Sequence, residues 1–164
     1  MRKTLSHYDA SGRVHMVDVS AKPETHRHAV AGVLVKMSPG TRRAVKRNPK
    51  GNPLEIARVA GIAAAKRTSE LIPLCHSIPL SHVDIKAEFC RQGVAITCSV
   101  RSMGRTGVEM EALTAAAVAA LTVYDMCKAI DRGIEVTELR LLEKSGGKSG
   151  TFRRIRQPTV HIRR

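Results

Sequence analysis

The chain has 164 residues, 43% hydrophobic and 26% charged, which suits one domain and leaves little room for a second core of ordinary size. Its 28 Lys and Arg against 14 Asp and Glu give a formal net charge of +14, which favours phosphate-bearing partners without specifying a fold. With no Trp and only two Phe and two Tyr, it can hardly build the aromatic platforms on which single-strand nucleic-acid binders stack bases.

In chain order, residues 1–13 are polar and read as a loose segment, and HMVDVS then alternates as a short strand or an extended arm. His28 to Lys36 contains the apolar, β-branched run AVAGVLV and predicts a buried strand. Ser38-Pro39 supplies an N-cap with proline at the first helical position, which opens a short basic helix. Asn48-Pro49-Lys50-Gly51 is a turn. Asn52-Pro53-Leu54-Glu55 repeats the start signal for a second helix running to about Arg67. Pro73 and Pro79 forbid a regular helix in LIPLCHSIPLS (71–81), which reads as an extended, shaped loop. Residues 82–90 and 94–101 alternate on either side of Arg91-Gln92-Gly93, the pattern of a β-hairpin with one face on a core. Thr106-Gly107-Val108-Glu109 has the spacing of a capping box and opens the longest helix, predicted to reach Ile130 before Gly133. Ile134 to Leu142 alternates as a further strand, KSGGKSG interrupts the regularity, and Phe152 to Gln157 returns as an edge strand. Helices packed on one face of a mostly antiparallel sheet, an α+β fold, follow from this order.

The basic residues are unevenly placed. Arg153, Arg154, Arg156, Arg163 and Arg164 fall in a basic C-terminal tail, and Arg42, Arg43, Lys46, Arg47 and Lys50 crowd residues 41–50. Cys75, Cys90, Cys98 and Cys127 show no CxxC spacing and the chain opens with no apolar signal-like run, so a reducing cytoplasm is the expected compartment. Ala112 to Tyr124 is apolar, but too short and too polar at its ends for a bilayer, and no membrane partner is expected.

Three places could carry chemistry. Cys75-His76 lies in the proline-constrained loop, although a lone Cys is more often a small apolar group and one neighbouring His does not make a zinc site. Glu109 and Glu111 open the long helix, while Asp125 and Lys128 close it at a spacing of three, as an ion pair or as an acid and base. Fourteen residues of helix put Glu111 and Asp125 roughly 21 Å apart along the axis and within about 40° around it. One small ligand cannot reach both in one chain. The face between them is alanine, so antiparallel pairing of two copies of the helix would bring Glu111 of one near Asp125 of the other. KSGGKSG ends like a P-loop, but Leu142 stands where the first glycine belongs and no helix follows, so a P-loop nucleotidase is rejected. Its glycines, with Lys144 and Lys148, still form a plausible phosphate cradle, set against a plain solvated turn.

Six segments in order, HMVDVSAKPETHR, the KG turn at Lys50, ARVAGIAAAKRT, LIPLCH, TGVEMEALTAAAVAALTVYDMCKA and LLEKSGGKSG, resemble the cyclic pyranopterin monophosphate synthase family over residues 15–150. The resemblance implies a lyase of the second step of molybdenum cofactor biosynthesis. Such an enzyme takes a small-molecule substrate, 3′,8-cyclised dihydro-GTP, to cyclic pyranopterin monophosphate and releases pyrophosphate. It further implies a ferredoxin-like fold, and a homohexamer, a trimer of dimers, with active sites at the dimer interface. No redox cofactor is required, no metal ligands are assigned, and Mg²⁺ is left open as a companion of the substrate triphosphate. The matching positions for substrate contact are Leu74, Cys75, His76, Met110 and Glu111, and the matching catalytic acid is Asp125. Lys50, Lys128, Lys144 and Glu109 match further pocket residues, with Lys128 and Lys50 as proton-transfer partners of Asp125. Lys22 and Arg27 are candidates for binding the pyrophosphate. Ser77 departs from the proline frequent in the family, residues 41–48 match poorly, and the Arg-rich end lies beyond the shared blocks. The competing reading, a basic nucleic-acid-binding protein, rests on the charge alone. It lacks a recognition motif, and nucleic acid is disfavoured as a partner.

Overall fold

The computed structural model describes residues 5–47 and 51–155. Strand β1 (Thr25–Lys36) leads into three helices, α1 (Pro39–Lys46), α2 (Pro53–Lys66) and α3 (Thr68–Leu71). The hairpin β2 (Leu80–Cys90) and β3 (Gly93–Gly104) follows, then α4 (Glu109–Cys127), β4 (Glu135–Ser145) and β5 (Phe152–Arg153). The strands form one antiparallel sheet in the order β2-β3-β1-β4-β5. Each helical connection therefore skips over one strand, α1–α3 over β3 and α4 over β1. This is the split βαβ arrangement of the ferredoxin-like α+β fold.

Alternation decides which face of the sheet is covered. Ala29, Ala31, Val33 and Val35 of β1 stand opposite Val100, Cys98, Ile96 and Val94 of β3, and all eight are buried. Ile85 of β2 joins them, and α2 and α4 lie side by side over this surface. The alanines of α4 make the contact close. Ala112, Ala115, Ala116, Ala119 and Ala120 are fully buried within one chain. By length and composition α4 would pass for a membrane span, but half of that stretch is buried inside the protein, as the central helix of its core. Gly61 of α2 sits at the tightest crossing. A Cβ there would meet the Ile85 side chain and lie 2.9 Å from the Ala115 carbonyl oxygen. Gly61→Val is expected to cost about 1 to 3 kcal/mol of stability through overpacking. The check is a lower denaturant midpoint at unchanged slope.

The start signals behave as the residue chemistry dictates at two helices. The Ser38 hydroxyl accepts from the Thr41 N–H with Pro39 inside the first turn, and the Asn52 side chain accepts from the Leu54 N–H ahead of Pro53. At α4 the expected capping box does not form. The helix starts at Glu109 with Val108 as its N-cap and no side-chain cap, because the Glu109 carboxylate is turned toward Lys144 on β4, 3.3 Å away. The helix also stops at Cys127, three residues earlier than its composition suggests, and Lys128–Ile130 form a turn. The strand at Phe152 is shorter than predicted over the described residues.

Residues 5–13, which carry no ordering signal in the sequence, fold with residues 14 and 15 into a small hairpin. Asp9 N–H donates to the Arg13 carbonyl at 2.9 Å, His15 N–H to the His7 carbonyl at 3.0 Å, and Tyr8 bridges to Val14. HMVDVS then runs as an extended arm rather than a sheet strand. Lys50 and its turn lie outside the described residues, as does most of the Arg-rich tail.

Candidate active site

The sheet topology gathers one group of candidate residues at one end of the molecule. The start of β1 pairs with the end of β3 through Thr25–Gly104 and Arg27–Ser102, and with the end of β4 through His28–Ser145 and Ala29–Lys144. The N-terminus of α4 follows β3, and the 72–79 loop leads into β2 at the same edge. A cleft of about 650 Å³ opens there, lined by Lys22, Leu74, Cys75, His76, Glu109 and Met110 of the predicted residues. Val17, Val19, Ile72, Pro73 and Ile78 make its walls largely apolar, as suits a planar heterocycle.

Its polar groups are held from several elements. His76 Nε2 lies 2.8 Å from the Val17 carbonyl oxygen, and because a carbonyl only accepts, Nε2 carries the proton. Nδ1 is the ring nitrogen left outside this bond. Cys75 Sγ donates to Glu111 Oε1 at 3.6 Å. Burial, then the Glu111 charge and this hydrogen bond, push the Cys75 thiol up to about 11, so it is a thiol at neutral pH and not a ready nucleophile. Glu111 is 2% exposed, its Oε2 has no hydrogen-bond partner among the described residues, and burial pushes its carboxyl above the ordinary range.

Lys144 is held between Glu109 at 3.3 Å and the Ser149 hydroxyl at 2.6 Å. Arg27 donates from Nε to the Gly104 carbonyl at 3.0 Å, with its guanidinium against Gly147. Gly147 has φ +72°, and a Cβ there would collide with the Arg27 nitrogens. The KSGG segment is thus a backing for Arg27 as well as the carrier of Lys144. The lining residues Ser6 and His7 had no functional signal in the sequence, whereas Ser149 belongs to KSGGKSG and Val17 to HMVDVS, segments noted there without a role for either residue. HMVDVS did predict that Val17 and Val19 share a side, and both line the cleft.

Asp125 and Lys128 are elsewhere. They sit at the C-terminal end of α4, whose 19 residues span roughly 27 Å, and their side chains are 67% and 56% exposed. Lys128 Nζ donates to Asp125 Oδ1 at 2.7 Å, and this hydrogen bond and charge hold the Lys128 pKa above its ordinary value rather than shifting it toward neutrality. One protomer therefore contains two separated parts of the predicted set. The alanine face suggested above as the contact for a second copy is consumed by the protomer's own core. What α4 leaves outward is another stripe, with Met110 and Leu121 exposed and Asp125 at its far end.

Comparison with known proteins places these features. The MoaC family pattern matches residues 16–147. The cyclic pyranopterin monophosphate synthase of Thermomicrobium roseum is 53% identical, covering 97% of this chain and 98% of that protein. The protein of the same name from Rhodospirillum rubrum is 54% identical over 90% of this chain and 92% of its own length. Molybdenum cofactor biosynthesis protein 1 of Mus musculus is 54% identical over 92% of this chain, which corresponds to 24% of that longer protein.

Proposed function

The chain belongs to the MoaC family, and from that premise we propose how its residues divide the work of the reaction. The protein is an enzyme of molybdenum cofactor biosynthesis that converts 3′,8-cyclised dihydro-GTP to cyclic pyranopterin monophosphate and pyrophosphate. The observation that carries the division of labour is the separation within α4. Glu109 and Met110 line one cleft with Leu74, Cys75 and His76, and Glu111 is buried behind it on the Cys75 thiol, while Asp125 and Lys128 are solvent-facing at the other end of the same helix.

We propose that the active site is completed by a second copy of the chain. The outward stripe of α4, through Leu121, would lie on the equivalent stripe of the neighbour, placing Asp125 and Lys128 over the neighbour's cleft. A homohexamer assembled as three such dimers fits this reading. The cleft binds the pterin part between its apolar walls, with the His76 Nδ1 as a polar contact and Glu111 as an enclosed carboxyl behind it. Lys144 and Arg27, joined by Lys22, bind the phosphates. Closure of the cyclic phosphate breaks the bond from the α-phosphorus to the bridging oxygen, and the charge developing on the departing pyrophosphate is what preorganised cations stabilise most in a site shielded from water.

Opening one ring and closing another moves protons on and off nitrogen and oxygen. Asp125 and Lys128 already place an acceptor and a donor in contact, and the Asp125 hydrogen bond and charge make Lys128 a weaker acid in the lone protomer, so covering of the pair by a second chain is what would bring it into range for proton transfer. Lys50 joins them in this proposal on the strength of its matching position alone. The chemistry is redox-neutral, so no redox cofactor is invoked, and Mg²⁺ would enter with the substrate triphosphate. The test is turnover of purified enzyme on the cyclised GTP, followed by pyrophosphate release and by the product's pterin fluorescence after oxidation. Both signals are expected in equal amounts. Pyrophosphate release without the pterin product would reduce the enzyme to a triphosphatase and end this reading.

A further inference from the structure

The N-terminal hairpin is tied by one side chain. Asp9 Oδ1 accepts from the Ser11 N–H at 2.8 Å, the Arg13 N–H at 2.9 Å and the Ser11 hydroxyl at 2.6 Å. The Arg13 guanidinium closes on Oδ2 at 3.2 Å. These bonds, led by the Ser11 hydroxyl, hold the Asp9 carboxyl at about 2, so the knot persists at any physiological pH.

An Asx-type knot of this kind is a local device with a definite output, since it folds residues 7 and 15 side by side. Its output here is a wall of the cleft, which Ser6 and His7 line. The extended arm that follows is fastened to the opposite loop by the 2.8 Å bond from His76 to the Val17 carbonyl. Solvent-exposed hairpins without a core of their own are unstable in isolation. This one is fastened at both ends, by a knot at its tip and by a cleft residue at its base. The His7 ring, with Nδ1 3.4 Å from the His15 carbonyl oxygen, is turned along the hairpin, and its Nε2 makes no hydrogen bond among the described residues.

We infer that His7 is a further substrate-contacting residue, presented to the cleft by the hairpin that Asp9 ties and that the His76–Val17 hydrogen bond anchors. Asp9 is then a positioning residue, acting only through the hairpin. With Nδ1 donating to the carbonyl, Nε2 is the nitrogen that meets the edge of the purine-derived ring system, a contact made in the ground state and the transition state alike. The inference rests on the enzymatic reading above and adds a residue to the pocket.

The experiment is steady-state pyrophosphate release with the full-length protein and four variants. His7→Ala should raise KM roughly tenfold while leaving kcat within about twofold, the signature of a lost uniform binding contact. His7→Gln, which restores a donor and an acceptor, should fall between. Asp9→Ala should raise KM like His7→Ala and speed hydrogen exchange of the Arg13 and His15 amides. Asp9→Asn, which keeps an acceptor for the two backbone N–H groups, should recover most of that loss. A KM for His7→Ala within twofold of the parent overturns the inference. A raised KM for His7→Ala with an unchanged Asp9→Ala overturns the role of the knot. Absence of turnover in the parent itself would instead remove the enzymatic reading.

Discussion

Lys128→Ala and Asp125→Asn are each expected to lower turnover by about 10²- to 10⁴-fold, the usual loss when a positioned acid or base is removed. Stability should barely move, because both side chains face solvent and an exposed i, i+3 ion pair contributes little to folding. A fall of this size without unfolding separates chemistry from structure. The more demanding measurement is complementation. A Lys128→Ala chain keeps its cleft, and a His76→Ala chain keeps its Asp125–Lys128 pair. In a two-fold dimer with shared sites, a mixed pair holds one intact site out of two. If subunits re-assort randomly after mixing, half the dimers are mixed, so activity should rise above that of either variant alone, by roughly a quarter of the parent activity. No recovery, in a mixture shown by native mass spectrometry to exchange subunits, would mean that each site is built from one chain.

Glu111→Gln should move stability and activity in opposite directions. The carboxyl is buried with one oxygen unpartnered among the described residues, and burial raises its pKa above 4.5. A carboxyl whose folded pKa exceeds its unfolded value binds its proton more tightly in the native state. Its contribution to stability is therefore highest at low pH and declines as pH rises from about the unfolded pKa through the folded one. Gln carries no such charge. The variant should be more stable than the parent by roughly 1 to 3 kcal/mol at pH 8, with the gain shrinking toward pH 4. Loss of a carboxyl that addresses the substrate should lower kcat/KM by about 10- to 100-fold. Denaturant midpoints at the two pH values and kinetics at one settle the matter. A variant less stable than the parent at pH 8 would show that Glu111 is a structural group whose charge is compensated.

The balance between these two predictions reflects where the site spends stability. A buried carboxyl whose one partner is a thiol is a poor choice for folding and a reasonable one for handling protons in a water-poor site. Asp125 and Lys128, by contrast, have their cost deferred. They are satisfied by each other in the protomer, and would be desolvated only when a second chain covers them.

Much of the fold was legible in the sequence because its signals are local. Ser38-Pro39 and Asn52-Pro53 name their helices by residue chemistry within four positions, and the alternation around Arg91-Gln92 specifies a hairpin whose register needs no distant partner. Helix rise alone separates Glu111 from Asp125, so the sequence by itself says that one small ligand cannot reach both within one chain. The ordered match of six segments then supplied the family and its reaction, which periodicity does not reach.

What only the tertiary structure decided are competitions between groups far apart in the chain. Thr106-Gly107-Val108-Glu109 has capping-box spacing, yet Lys144, 35 positions later, claims the carboxylate, because an ion pair in a half-enclosed site outbids one local hydrogen bond. The alanines of α4 look available to a neighbour on a helical wheel, but Gly61 of α2 and the sheet bury them first. Asp9 and His7 carry no pattern at all, and their place against the cleft depends on His76 capturing the Val17 carbonyl across 59 residues. Sequence periodicity records which side of an element is apolar. Only the packed chain determines which of several polar partners wins, because that choice depends on distances and desolvation between elements rather than on spacing within one.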